Sequence, residues 1–197
     1  MSDTQVDSGK RRFLLMATGV VGGAAAAGVA VPFVGSMLPS AKAKAAGAPV
    51  EVDVSKLEPG AQLTVEWRGK PVWVVRRTPE MVAQLEKIAD KLSDPASEAP
   101  QQPEYCKNKT RSLKPEYLVV VGVCTHLGCS PTFRADVGAA DLGGDWPGGY
   151  YCPCHGSRFD LAGRVFKNVP APVNMVVPPH QFVSDAVLLV GADGKET

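Results

Sequence analysis

Two segments separated by 22 residues, Cys124-Thr125-His126-Leu127-Gly128-Cys129 and Cys152-Pro153-Cys154-His155-Gly156-Ser157, hold four of the chain's five cysteines and two of its three histidines. A chain carrying this pattern must fold so that the two loops meet, because the residue types are those of a metal site. Each loop offers one Cys and one His as ligands and leaves a second Cys over. Much of the rest of the chain can be read as the scaffold that presents these loops.

At 197 residues, with 45% hydrophobic composition and a formal charge of +1, the chain has room for one globular domain and something further. The further part is N-terminal. No charged residue occurs from Phe13 to Leu38, a run of roughly 39 Å as a helix against the ~30 Å hydrocarbon core of a bilayer. It reads as one transmembrane helix over 13–38, with Pro32 expected to kink its outer end and Gly19, Gly23 and Ala27 as a small-residue stripe. Lys10, Arg11 and Arg12 precede it, so the positive-inside rule leaves residues 1–12 in the cytoplasm and the head outside. Lys10 to Leu14 also resembles a twin-arginine signal, with either Arg11-Arg12 or Lys10-Arg11 as the basic pair. A cleaved signal ending near Ala41-Lys42-Ala43 is the competing reading, but the apolar run exceeds the usual signal length.

Residues 39–49 are small, polar and bounded by Pro39 and Pro49, which reads as a flexible tether. From 50 to 197 the chain reads as one domain. Residues 50–54, 61–67 and 71–77 alternate apolar with polar and are separated by turn residues, as antiparallel strands do. Trp67 and Trp73 fit packing positions. Thr78-Pro79-Glu80 starts a helix with Thr78 as N-cap. Met81, Val82, Leu85, Ile88, Ala89 and Leu92 then share one face, which predicts a helix packed on the sheet. Residues 116–123 form a strand that delivers Cys124, residues from 124 to about 172 form an insertion rich in Gly and Pro, and 182–190 return as a strand. No basic tract with interleaved aromatics, phosphate loop or Ser-His-Asp set occurs, which argues against nucleic-acid partners and hydrolase chemistry.

The two boxes resemble those of the Rieske iron–sulfur proteins of cytochrome bc complexes, and the resemblance extends from the apolar run to the last strand. It implies a mainly β fold: an N-terminal transmembrane helix, an antiparallel β-sandwich with an inserted cluster-binding subdomain at about 124–172, and one packed helix. It implies one 2Fe-2S cluster in which two His replace two Cys on one iron. Carried over, Cys124 and Cys152 hold the inner iron and His126 and His155 the outer one, while Cys129 and Cys154 form a disulfide. Such a disulfide suits an exported head, and the bacterial inner membrane with a periplasmic head is the implied location. Cys106 is then an unpaired thiol outside the ligand set.

Around the ligands, the resemblance implies that Gly128 and Gly156 let backbone amides, and Ser157 its hydroxyl, approach the cluster sulfurs. Asn168 to Pro172, with Pro170 at its centre, resembles the proline loop that covers the cluster. Leu127 faces a quinone pocket by the resemblance, or is tucked inward by the plainer reading of a Leu in a short loop. Phe159 departs from the family pattern, standing where many members carry a Tyr that donates to a cysteine sulfur.

The function implied is that of the Rieske subunit of quinol–cytochrome c reductase. His155 and His126 would take part in quinol oxidation, with cytochrome b, cytochrome c1 and ubiquinol as partners in a dimeric membrane complex. Competing readings are an electron carrier such as the arsenite-oxidase small subunit, a Rieske protein of a photosynthetic b6f complex, and a structural zinc domain. The zinc reading leaves Cys129 and Cys154 without a role.

Overall fold

The computed structural model describes residues 7–192, and the chain divides into two units, residues 1–45 and 46–197. In the first, the helix expected over 13–38 is α1 over Ser8–Ser36. It begins earlier because the Asp7 carboxylate accepts from the Gly9 and Lys10 amides at 2.9 and 3.1 Å, satisfying donors that have no partner within the helix. The basic residues 10–12 therefore lie in its first turns. Pro32 sits inside α1 without ending it, and none of the 29 residues is buried. At ~43 Å such a helix is long enough to cross a bilayer. Within the expected tether the Ala/Lys run forms a short helix, α2 (Ala41–Ala46). Ala and Lys are strong helix formers, and Ser40 Oγ accepts from the Ala43 amide at 3.1 Å to start it.

The second unit contains β1 (Val50–Asp53), β2 (Gln62–Trp67), β3 (Lys70–Arg76), β4 (Tyr117–Val121), β5 (Thr132–Arg134), β6 (Gly149–Tyr151), β7 (Arg158–Phe159), β8 (His180–Phe182) and β9 (Val187–Val190). These form three antiparallel sheets, ordered β1-β9-β8, β2-β3-β4 and β5-β6-β7. The single strand expected over 182–190 is instead the β8–β9 hairpin. Ser184-Asp185 interrupt the apolar run, and the Val183 amide donates to the Val187 carbonyl across the turn at 2.9 Å.

The β2-β3-β4 sheet is the middle layer. Val72 and Val74 of β3 and Val119 and Val121 of β4 face the β1-β9-β8 sheet, packing with Val52, Leu188 and Val190. Their neighbours Trp73, Val75, Leu118 and Val120 point the other way, into a core with Tyr150, Phe159, Cys124 and Cys152. Two-faced burial explains why β4 is buried at every position although its partner is antiparallel. That second face is the floor of the inserted subdomain.

α3 (Pro79–Lys87) begins as expected, with Thr78 Oγ1 accepting from the Met81 amide at 3.3 Å. Its packing differs from the expectation. Leu85 packs with Leu161 and Ala162, with Met81 and Phe133 beside them, so the helix lies on the inserted subdomain and not on the base sheet. Both faces of the middle sheet are already covered, and the apolar stripe of α3 meets the insertion instead.

Candidate metal centre

Each box folds by the same two backbone hydrogen bonds. In the first, the Cys124 amide donates to the Cys129 carbonyl at 2.8 Å and the Gly128 amide to the Cys124 carbonyl at 3.1 Å. In the second, the Cys152 amide donates to the Ser157 carbonyl at 2.8 Å and the Gly156 amide to the Cys152 carbonyl at 2.9 Å. Both turns need a residue with positive φ at their fifth position. Gly128 and Gly156 supply it, at 86° and 76°, where a Cβ would be strained. The sequence repeats this element with its chemistry permuted: His is third in one loop and fourth in the other.

The loops meet through a disulfide between Cys129 and Cys154, as the resemblance implies. The Sγ atoms of Cys129, Cys152 and Cys154 lie within 4.8 Å of one another, but the disulfide removes two of these from ligation. Cys124 and Cys152 remain as free, buried thiols, each 2% exposed. Their side chains are within hydrogen-bonding reach, and burial pushes the Cys152 thiol up, so its thiolate needs a compensating cation. His126 and His155 stand edge to face with ring centroids 4.8 Å apart. His155 is exposed and His126 half-buried. Two buried thiols and two imidazoles at the rim match the donor types a Rieske 2Fe-2S cluster takes, soft sulfur inside and nitrogen outside.

A third segment closes the site. Ser157, fully buried, accepts from the Ala171 amide through Oγ at 3.0 Å, tying the second box to the proline-containing loop. Thr125 Oγ1 donates to the Val173 carbonyl at 2.6 Å, tying the first box to the same segment. Neither partner was readable from the boxes, since both lie outside them in sequence. Pro170 is exposed in that loop. Leu127 is 73% exposed, which rejects the inward-tucked reading. Phe159 is fully buried in the core that includes Cys124 and Cys152, opposite Tyr150 in the β6–β7 register. Cys106 is a free, buried thiol outside this core, pushed by burial to about 11 and hence unreactive.

The family model for the Rieske [2Fe-2S] domain matches residues 48–181. The iron–sulfur subunit of ubiquinol–cytochrome c reductase from Allochromatium vinosum is 64% identical over 193 residues, covering 98% of this chain and 93% of that protein. The chain belongs to the Rieske iron–sulfur subunits of ubiquinol–cytochrome c reductase. The corresponding subunit of Blastochloris viridis is 44% identical, with 97% of each chain covered. Residues 1–40 of this Rieske chain match the family model described as Ubiquitinol-cytochrome C reductase Fe-S subunit TAT signal. Among solved structures, a chain of a hyperthermophilic respiratory Complex III is similar with a TM-score of 0.48 at 24% identity, covering 88% of this chain and 97% of that one. The Rieske cofactor is one 2Fe-2S cluster, and the zinc, arsenite-oxidase and b6f readings are set aside by the family assignment.

Proposed function

We propose that Cys124 and Cys152 hold the inner iron and His126 and His155 the outer iron, and that the chain oxidises ubiquinol at a pocket of cytochrome b and delivers the electron to cytochrome c1. The observation that carries this reading is the convergence of two free, buried thiols and two rim imidazoles on loops joined by the Cys129–Cys154 disulfide. When bound, the cluster supplies a one-electron acceptor whose charge is linked to protonation of its imidazole ligands. His155, the more exposed imidazole, accepts the hydrogen bond of the quinol hydroxyl and takes its proton, with His126 at its edge. Leu127, exposed at the tip, supplies apolar contact with the quinone pocket. The buried cysteine face keeps water from the thiolates while the histidine rim stays open.

α1 anchors the subunit in the bacterial inner membrane with the head in the periplasm, within a dimeric complex. Its length and apolar surface support the anchor, and the match over residues 1–40 supports export by the twin-arginine route. Residues 39–49 act as a tether, with α2 as a stiff piece between non-helical ends, so that the head moves from cytochrome b to cytochrome c1. The test is purification of the detergent-solubilised complex carrying native or His155→Ala protein. The native complex should contain both cytochromes and a Rieske electron paramagnetic resonance (EPR) signal, and the variant should keep the cytochromes and lose the signal. Absence of either cytochrome from the native complex, or a signal unaffected by His155→Ala, overturns the reading.

A further inference from the structure

We infer that three buried guanidiniums, those of Arg77, Arg111 and Arg164, set against the single buried carboxylate of Asp160, raise the reduction potential of the cluster by placing uncancelled positive charge beside the core that holds Cys124 and Cys152. Among the described residues these four are the buried groups that carry charge, at 2%, 0%, 2% and 0% exposure, apart from His180, which burial keeps toward its neutral form. Three positive charges against one negative leave a net +2.

Only Arg164 is paired. Its Nε donates to Asp160 Oδ2 at 2.7 Å. Arg77 donates to the carbonyls of Pro115, Thr110 and Leu161 and to Ser112 Oγ, at 2.8–3.0 Å. Arg111 donates to the carbonyls of Ala162, Gly163 and Met175 and to Gln102 Oε1. Neutral oxygens satisfy these hydrogen bonds without cancelling the charge. Burial lowers both guanidiniums to about 10, which leaves them charged at neutral pH. Arg111 also holds a left-handed backbone, φ 48°, that a non-glycine residue rarely adopts.

The charge lies close to the cysteine core. At Gly163 the Arg111 Nη1 atom, Met175 Cβ and Val120 Cγ2 converge, 3.2, 3.3 and 3.4 Å from where a Cβ would stand. Met175 and Val120 belong to the same core as Cys124 and Cys152. On the other side, the buried Tyr150 of that core feels the charges of Arg77 and Asp160. Reduction adds one negative charge to the cluster, and a fixed positive charge across an apolar layer favours it with little screening. A purely structural hub would need the same hydrogen bonds but no net charge.

This inference rests on Cys124 and Cys152 holding the cluster. Its test is an EPR-monitored redox titration of the intact complex carrying single variants. Gln102→Glu puts a carboxylate against Arg111 in an isosteric side chain and should make cluster reduction at least threefold less favourable, about 28 mV for a one-electron couple. Gln102→Leu, which removes the bond from Arg111 together with the Gln102 donations to the Ser97 and Ala99 carbonyls but adds no charge, should leave the potential unmoved. Asp160→Asn should shift it upward, opposite to Gln102→Glu, and Arg77→Lys should leave it in place. The Gln102→Glu shift should persist at 1 M salt. Equal shifts for Gln102→Glu and Gln102→Leu, a shift of one sign for Gln102→Glu and Asp160→Asn, or native-like signals with unmoved potentials would overturn the electrostatic role. If Asp160→Asn fails to assemble, the Gln102 pair decides alone. Absence of a Rieske signal in the native complex would instead refute the ligand assignment.

Discussion

The two cluster loops share one backbone and differ in nearly everything attached to it. Both close by the same pair of hydrogen bonds with a glycine at positive φ. Yet the first presents a half-buried histidine and is tied outward by a hydroxyl that donates, Thr125 to Val173, while the second presents an exposed histidine and is tied by a hydroxyl that accepts, Ser157 from Ala171. The comparison teaches that the turn positions the cysteines and the permuted neighbours set what each histidine can do. On the proposed assignment the half-buried imidazole of His126 supports and the exposed one of His155 meets substrate.

The largest break in that symmetry is removal of a ligand. Cys124→Ser and Cys152→Ser should each abolish the visible and EPR spectrum, since on the proposed assignment either leaves the inner iron with one of its two thiolates. A cluster retained in one but not the other would show that the loops are not equivalent at their first position. Next comes the crosslink between the loops. Cys129→Ser opens a covalent loop with a sequence separation of 25, worth about 3.5 kcal/mol by loop-closure entropy. The variant head should melt well below the native one when the cluster's circular dichroism is followed, and its assembled cluster should have a lower potential. An unchanged melting curve would mean that the disulfide does not hold the loops together.

The two hydroxyl ties sharpen the comparison further. Ser157→Ala strands a buried amide and should cost about 1–3 kcal/mol, whereas Thr125→Val removes a donor from a half-buried carbonyl and should cost about 0.5–1.5 kcal/mol. Denaturant melts of the two variants should therefore rank the second loop's tie as the stronger; the reverse order would refute it. A smaller effect is expected at Phe159, fully buried in the cysteine core. Phe159→Tyr adds a donor there, and one bond of about 1 kcal/mol to a ligand sulfur corresponds to roughly 40 mV for a one-electron couple, so film voltammetry should show an upward shift of some tens of millivolts. No shift would mean that position 159 does not address the cluster.

The smallest effect lies away from both loops. His180 is buried, its Nδ1 is 2.8 Å from the Pro178 carbonyl, and burial lowers its pKa. Below about 6.5 the unfolded chain binds a proton that the folded one resists, so stability falls as pH drops from there toward the folded value. His180→Leu should move the acid-unfolding midpoint to lower pH, and a midpoint that does not move would exclude this residue as a contributor.

Much of this molecule is legible locally. The ligand types, the loop glycines, the leftover cysteines, the apolar run and the Thr78 cap each lie within a few residues of the features that explain them, and short-range rules suffice. What the linear pattern concealed was decided by packing over long separations. Ser184-Asp185 turned an expected strand into a hairpin once β8 and β9 both had to pair. α3 went to Leu161 and Ala162 because the middle sheet was already covered on both faces. Thr125 and Ser157 found partners 48 and 14 residues away, and Arg77 reached a carbonyl 84 residues on. The sequence by itself determined which atoms could bind the cluster, because ligand chemistry belongs to side-chain type and close spacing. Only the tertiary structure decided which histidine faces outward and how much charge lies behind the cysteines, because exposure and dielectric are properties of everything packed around a residue.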